Sequence, residues 1–401
     1  MSGWEDITAG FRRELAELST EQLRMDGEKS FRLALIGAAG SGKTTLARAL
    51  AGAETPQASG LEHFLPEYTL PLSAQDVAEL NLTTLLILLL DATKGDYVQE
   101  VAAADYLAYL GKPMLVCYTK MDTLQVETRM IREQARWRGA QILPLIGTQP
   151  DTVLDLLVPA VLEALPGHRL ALANRLALFR AQVADEIVRG TAQANATFAA
   201  AKGMGDLRPS LRFPFDDDDL MVMCANLAEM TERLGIAYAG DLVLGNHSLV
   251  ERVDPGQVWR QMSRHVLGLV PVWSLRAKVA LAYGGTAALG QAVEHICSTG
   301  AELDSKSLQG LYKSVARDTR AVGDSVLSRA KDALPSGRAR GQASRRPARP
   351  WSSLLQRERR KKCGECSRMN PSDALYCAYC GVQLGGSLPP NANDGRVGTN
   401  P

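Results

Sequence analysis

No apolar run in this sequence is long enough to cross a bilayer. The longest, Leu85 to Leu90, is the size of one strand, whereas a spanning helix needs about 20 residues. Net charge is nearly absent as well. Lys and Arg number 45 against 44 Asp and Glu, which removes any overall pull toward nucleic acid or anionic lipid. Cysteine is sparse, with 7 in 401 residues, too few for a disulfide framework at this length. Cys117, Cys224 and Cys297 lie in apolar segments and are expected as buried thiols, which suits a reducing compartment. The N-terminus, Met1-Ser2-Gly3-Trp4-Glu5-Asp6, has neither a basic start nor an apolar h-region, so a secretory leader is not expected. A cytoplasmic protein is the expectation, with contact at the inner face of the membrane kept open.

What the sequence does contain is a phosphate-binding pattern. Gly37-Ala38-Ala39-Gly40-Ser41-Gly42-Lys43-Thr44 satisfies G-x-x-x-x-G-K-[ST] at every fixed position. The apolar residues 31–36 before it read as a buried strand, and residues 44–51 after it as a helix that Gly52 would end. Glycines at 37, 40 and 42 remove Cβ atoms that would keep the backbone from folding around a polyphosphate. The N–H groups and helix N-terminus then face the anion. Gly37, Gly40, Ser41, Gly42, Lys43, Thr44 and Thr45 are the expected contacts. Lys43 should reach the β/γ-phosphates, and the Thr44 hydroxyl should ligate Mg²⁺.

Length and an apolar content of 46% allow two or three domains with substantial cores. Residues 1–29 form an amphipathic helix candidate with Trp4, Ile7, Phe11, Leu15 and Leu18 at helical spacing, expected to pack on the nucleotide domain. From residue 30 to 166 strands alternate with helices. The strands are expected at 31–36, 68–72, 85–90, 114–118 and 141–146, with helices around 45–51, 97–110, 124–137 and 151–164. Short continuous apolar strands between helices imply an α/β fold with a parallel sheet covered on both faces. Residues 167–334 read as an all-α domain. In it the acidic run 216–219 precedes a helix, where capping and dipole pairing explain it better than a metal site.

The strand 114–118 ends in Thr119-Lys120-Met121-Asp122, nearly the spelling of the guanine-specificity motif N-K-x-D. A carboxylate at Asp122 would accept from the ring N1–H and the exocyclic amine of guanine, and would be left unpaired against adenine. The Lys120 stem can lie along the base plane. Thr119 stands where Asn is usual, keeping a hydroxyl but losing the amide that ties this loop to the P-loop. Asp91, following Leu85–Leu90, can alternatively be read as a Walker-B acid, which would suit an ATPase.

Residues 30–165 resemble the Era/TrmE-like branch of the TRAFAC-class P-loop GTPases. The resemblance is carried by Gly37–Thr44, by Leu85 through Asp91-Ala92-Thr93-Lys94-Gly95, by Gly111-Lys112-Pro113 and by Thr119–Asp122. It implies GTP or GDP with Mg²⁺ as ligands and places Asp91 off the metal. The departures matter too. No D-x-P-G lies between Gly52 and Leu85; Pro71-Leu72-Ser73-Ala74-Gln75-Asp76 sits where it belongs. The family's Mg²⁺-linked Asp and γ-phosphate-sensing Gly are therefore missing, and Ile146-Gly147-Thr148 replaces the base-contacting S-A-K. Thr55 and Thr69 both qualify as a switch threonine. Hydrolysis should be slow, or depend on dimerisation or a partner.

Residues 213–331 resemble an uncharacterised helical domain fused to Era-like GTPases in bacteria, on Phe213-Pro214-Phe215, Met221 to Gly235 and Ala280 to Gly290. Small residues from Gly284 to Gly290 allow close helix packing in a soluble bundle, the reading preferred on length over membrane contact by residues 262–296. Residues 335–362 form a basic, Pro/Gly-interrupted tether. Within residues 363–384, Cys363-Gly364-Glu365-Cys366 and Cys377-Ala378-Tyr379-Cys380 are two C-x-x-C knuckles ten residues apart. They have the spacing of a closed four-thiolate Zn²⁺ site in a zinc ribbon. Residues 385–401 complete the chain as a disordered tail. The sequence as a whole reads as a GTP-binding regulatory or scaffold protein whose helical domain or ribbon recruits a protein partner. A nucleic-acid-associated protein using the tether and ribbon is the less favoured alternative.

Overall fold

A computed structural model describes residues 3–51, 61–94, 96–121, 137, 139–145, 150–203, 215–238, 254–267, 275–301, 303–332, 360–362 and 369–371. The chain divides into two compact units, Met1–Ser336 and Gly337–Pro401.

The first unit is built on five strands: β1 (Leu33–Gly37), β2 (Glu67–Thr69), β3 (Leu85–Asp91), β4 (Met114–Thr119) and β5 (Gln141–Pro144). They pair in the order β2-β1-β3-β4-β5, and every pairing is parallel. β1 and β3 are buried along their whole length. Both their faces are covered, so a strand here needs no polar alternation.

Successive side chains still point to opposite faces, and two cores result. Leu33, Leu35, Ile87, Leu89 and Cys117 face one side, under α3 (Lys43–Ala51), α7 (Val158–Ala164) and α8 (Arg169–Arg175). Ala34, Ile36, Leu86, Leu88 and Tyr118 face the other, where Leu80 of α5 (Ala74–Leu80), Ala104 and Leu107 of α6 (Val98–Tyr109) and Trp137 cover them. The helix α4 (Leu61–Phe64) leads into β2. The sheet expected from the sequence is thus present, with β2 shorter than anticipated. The helix expected at 124–137 lies largely outside the described residues.

The core of the first face runs on through Ala171, Leu172, Phe179 and Val183 to Ala237. Buried packing therefore continues across the boundary anticipated at residue 166. Beyond it come α9 (Arg180–Gly203), α10 (Asp217–Tyr238), α11 (Pro255–Leu267), α12 (Leu275–Thr299) and α13 (Ser305–Asp332). The centre of α12 is buried from Leu281 to Leu289 and beyond. Gly285 lies against the Trp259 ring, Gly284 against Met262 and Gly290 against Val188. Small residues on α12 thus let neighbouring helices approach closely. No single described helix is long and apolar enough to cross a membrane. The bent pair made by Val153–Ala164 and Pro166–Arg175 has the composition for it, but places Val158, Val161 and Leu172 in the core.

The N-terminal helices α1 (Gly3–Glu17) and α2 (Glu21–Glu28) correct the sequence reading. Among the described residues α1 packs mainly on the helical bundle, against α10 and α11, and not on the α/β sheet. The Cys224 thiol donates to Ile7 O at 3.5 Å, and the Thr8 hydroxyl donates to Asp254 Oδ1 at 2.5 Å. An amphipathic pattern says which face of α1 is buried but not what covers it. The acidic run behaves as expected of a cap. Asp219 N–H donates to Asp216 Oδ1 at 2.7 Å and Asp216 N–H to Asp219 Oδ2 at 3.3 Å, at the first turn of α10.

In the second unit, β6 (Arg360–Lys362) and β7 (Met369–Pro371) pair antiparallel, with Lys362 opposite Met369. Cys363, Cys366, Cys377 and Cys380 lie outside the described residues.

Candidate nucleotide site

The P-loop joins β1 to α3 at the carboxyl end of the sheet, next to its central strand β3. Two of its glycines adopt left-handed conformations, Gly40 at φ 76° and Gly42 at φ 92°. Both are costly for any residue with a Cβ. Gly37 is required for space instead, since a Cβ there would lie 2.6 Å from Leu89 O, a backbone atom. The loop therefore closes over its own carbonyls. Lys43 Nζ donates to Gly37 O and to Ala38 O, each at 3.0 Å. Burial pushes the Lys43 ammonium below the ordinary lysine range; Glu67 opposes this shift and Lys94 adds to it. An anion in the loop would offset that desolvation. The first-turn N–H groups of α3, those of Thr44 and Thr45 among them, have no partner inside the helix, as at every helix start. Ser41 contributes a buried hydroxyl without a hydrogen-bond partner among the described residues.

This donor set fits a polyphosphate and Mg²⁺. It offers a primary amine, a set of helix-start N–H groups and a threonine hydroxyl, with no acidic side chain in the loop itself. Beside Thr44 stands a residue that sequence reasoning missed. Thr44 Oγ1 donates to Glu67 Oε2 at 2.7 Å. Glu67 opens β2 and pairs in register with Leu35, which puts its side chain on the sheet face that α3 covers. Starting that strand at Tyr68 left Glu67 outside it. An acid on a strand flanking a P-loop strand was the available signal. Asp76 has another use: its carboxylate accepts from Ser73 N–H at 2.7 Å and closes the capping box of α5. Thr69 ends β2 opposite Gly37, and Thr55 lies outside the described residues.

At the end of β4, Thr119 uses the hydroxyl it keeps in place of the missing amide. Its hydroxyl makes the tie to the P-loop, lying 2.9 Å from Ser41 O, and it is also 3.1 Å from Leu90 O. Lys120 follows with φ 59°, and its ammonium pairs with Asp91 Oδ2 at 2.6 Å. The other Asp91 oxygen accepts from Thr93 N–H at 3.1 Å and from the Thr93 hydroxyl at 2.6 Å. Burial alone would raise the Asp91 carboxyl, but the bonds from Lys120 and Thr93 outweigh it and hold it below the ordinary carboxylate range. Asp91 thus serves the Thr119–Lys120 turn, while Glu67 is the acid on Thr44, which runs against a Walker-B role. Asp122 and residues 146–148 lie outside the described residues.

Among the described residues no group of three or more His, Cys, Asp or Glu is arranged to hold a metal ion. Cys117 and Cys224 are buried, and burial pushes both thiols up, Cys224 to about 12, as inert core thiols should behave. No protein-family model matches this chain, and the search of curated proteins found no relative of it.

Proposed function

We propose that this chain binds a guanine nucleotide with Mg²⁺ and acts as a regulatory or scaffold protein with slow or partner-dependent hydrolysis. The observation that carries the reading is the loop itself. Two left-handed glycines and a buried lysine folded onto loop carbonyls sit between a central parallel strand and a helix N-terminus. That arrangement presents N–H groups and an ammonium to an anion, which is the chemistry of a polyphosphate cradle. Guanine is favoured by the Thr119–Lys120 turn, anchored to the P-loop through Ser41 and followed in sequence by Asp122. Slow turnover follows from the segment between Leu61 and Leu85, which contains no glycine to sense a γ-phosphate.

Titration of the purified protein with GDP, GTP and ATP in Mg²⁺ tests this. GDP and GTP should bind, and ATP much more weakly. Lys43→Ala should abolish all binding, and Asp122→Ala should weaken guanine nucleotides selectively. Equal affinity for ATP would overturn the guanine assignment.

A further inference from the structure

We propose that Glu67 is the acid of the Mg²⁺ site, supplying from the first residue of β2 the carboxylate that is absent where D-x-P-G belongs. This inference rests on the nucleotide reading above.

Two observations converge on Glu67. Its Oε2 accepts the hydrogen bond of the Thr44 hydroxyl at 2.7 Å, and Thr44 is the P-loop position that ligates Mg²⁺. The competing acids are committed elsewhere: Asp91 to Lys120 and Thr93, Asp76 to the cap of α5. Mg²⁺ takes oxygen ligands and is held by one or two carboxylates together with substrate phosphates. The Thr44–Glu67 pair is such a partial shell. With no cation present the carboxylate keeps its charge and accepts the Thr44 hydrogen bond. With Mg²⁺ and a phosphate bound, the Thr44 oxygen would face the metal and Glu67 would hold it directly or through a water. Glutamate suits the position because β2 pairs Glu67 with Leu35, two residues before the loop begins at Gly37. A carboxylate placed that far back needs the longer side chain.

The charge of Glu67 makes the test directional. Without a cation, a carboxylate beside the phosphates repels them; with Mg²⁺ it holds the ion that attracts them. GDP affinity is measured for wild type and Glu67→Gln in Mg²⁺ and in EDTA. Glu67 is exposed, so the isosteric amide should not disturb folding. Wild type should bind more tightly in Mg²⁺. Glu67→Gln should lose about tenfold in Mg²⁺, the low end for residues supporting a metal site, yet bind as well as wild type or better in EDTA. Retention of the full Mg²⁺ enhancement by Glu67→Gln would overturn this inference and leave nucleotide binding intact. An equal loss in both media would also overturn it, by showing a purely structural role. Failure of wild type to bind GDP in either medium would overturn the nucleotide reading and this inference with it.

Discussion

Thr119 reaches the P-loop with one oxygen where a carboxamide would have reached it with a longer arm. Its hydroxyl lies within hydrogen-bonding distance of Ser41 O and Leu90 O, and it is itself buried. Thr119→Val keeps the shape and removes the donor to the buried Ser41 carbonyl, at about 1–3 kcal/mol. Chemical denaturation should register that loss, and GDP affinity should fall with it because the tie between base loop and phosphate loop is gone. Asp91 gives a pH-dependent counterpart. A depressed folded pKa adds stability that is present above the unfolded value of about 3.9 and is lost as pH falls through the folded value. Asp91→Asn should therefore lower the melting temperature at neutral pH, and the two proteins should converge as pH drops below about 4. A difference constant from pH 7 to 3 would show that the Lys120 ion pair adds no stability.

Among the elements, α12 shows most plainly how composition becomes packing. Its Gly285 backbone lies under the Trp259 ring, where an added Cβ would come within 2.6 Å of ring atoms. The ring is 1% exposed and has no room to retreat. Gly285→Ala gains about 0.5–1 kcal/mol of helix propensity, but overpacking a filled site costs about 1–3 kcal/mol. The second effect should win, giving a net loss of about 1–2 kcal/mol in denaturant unfolding with nucleotide affinity unchanged. Stabilisation would mean that α12 and α11 are farther apart than the contact implies. The small-residue stretch 284–290 was legible in sequence as a close-packing surface; which helices occupy it was not. The same holds for α1. Its apolar stripe was evident, yet its partner is the bundle, because a hydrophobic face carries no address.

At the scale of the whole molecule the chain parts after Ser336, and the second unit begins at Gly337. The four cysteines of the knuckles belong to that second unit and the P-loop to the first. One Zn²⁺ per chain is expected on Cys363, Cys366, Cys377 and Cys380, and a domain this small derives most of its folding free energy from the metal. Truncation at Pro335 should remove all bound zinc, read by metal analysis, and leave GDP affinity as in the full chain. Stoichiometric zinc in the truncated protein would refute the four-cysteine assignment.

The conformation of the P-loop was determined by sequence alone, because it is local: glycines where the backbone turns left-handed or meets Leu89 O, and a lysine and threonine at fixed spacing. The parallel sheet was legible for a related reason, since buried strands between helices have few other solutions. Glu67 was not legible. It lies 23 positions from Thr44 in the chain and reaches it only because β2 pairs beside β1. The destination of Asp91 was likewise set by Lys120, 29 positions away at the end of the neighbouring strand β4. Local motifs are written in consecutive residues, whereas partners are chosen by the register of strands and the meeting of helix faces, which only the tertiary structure decides.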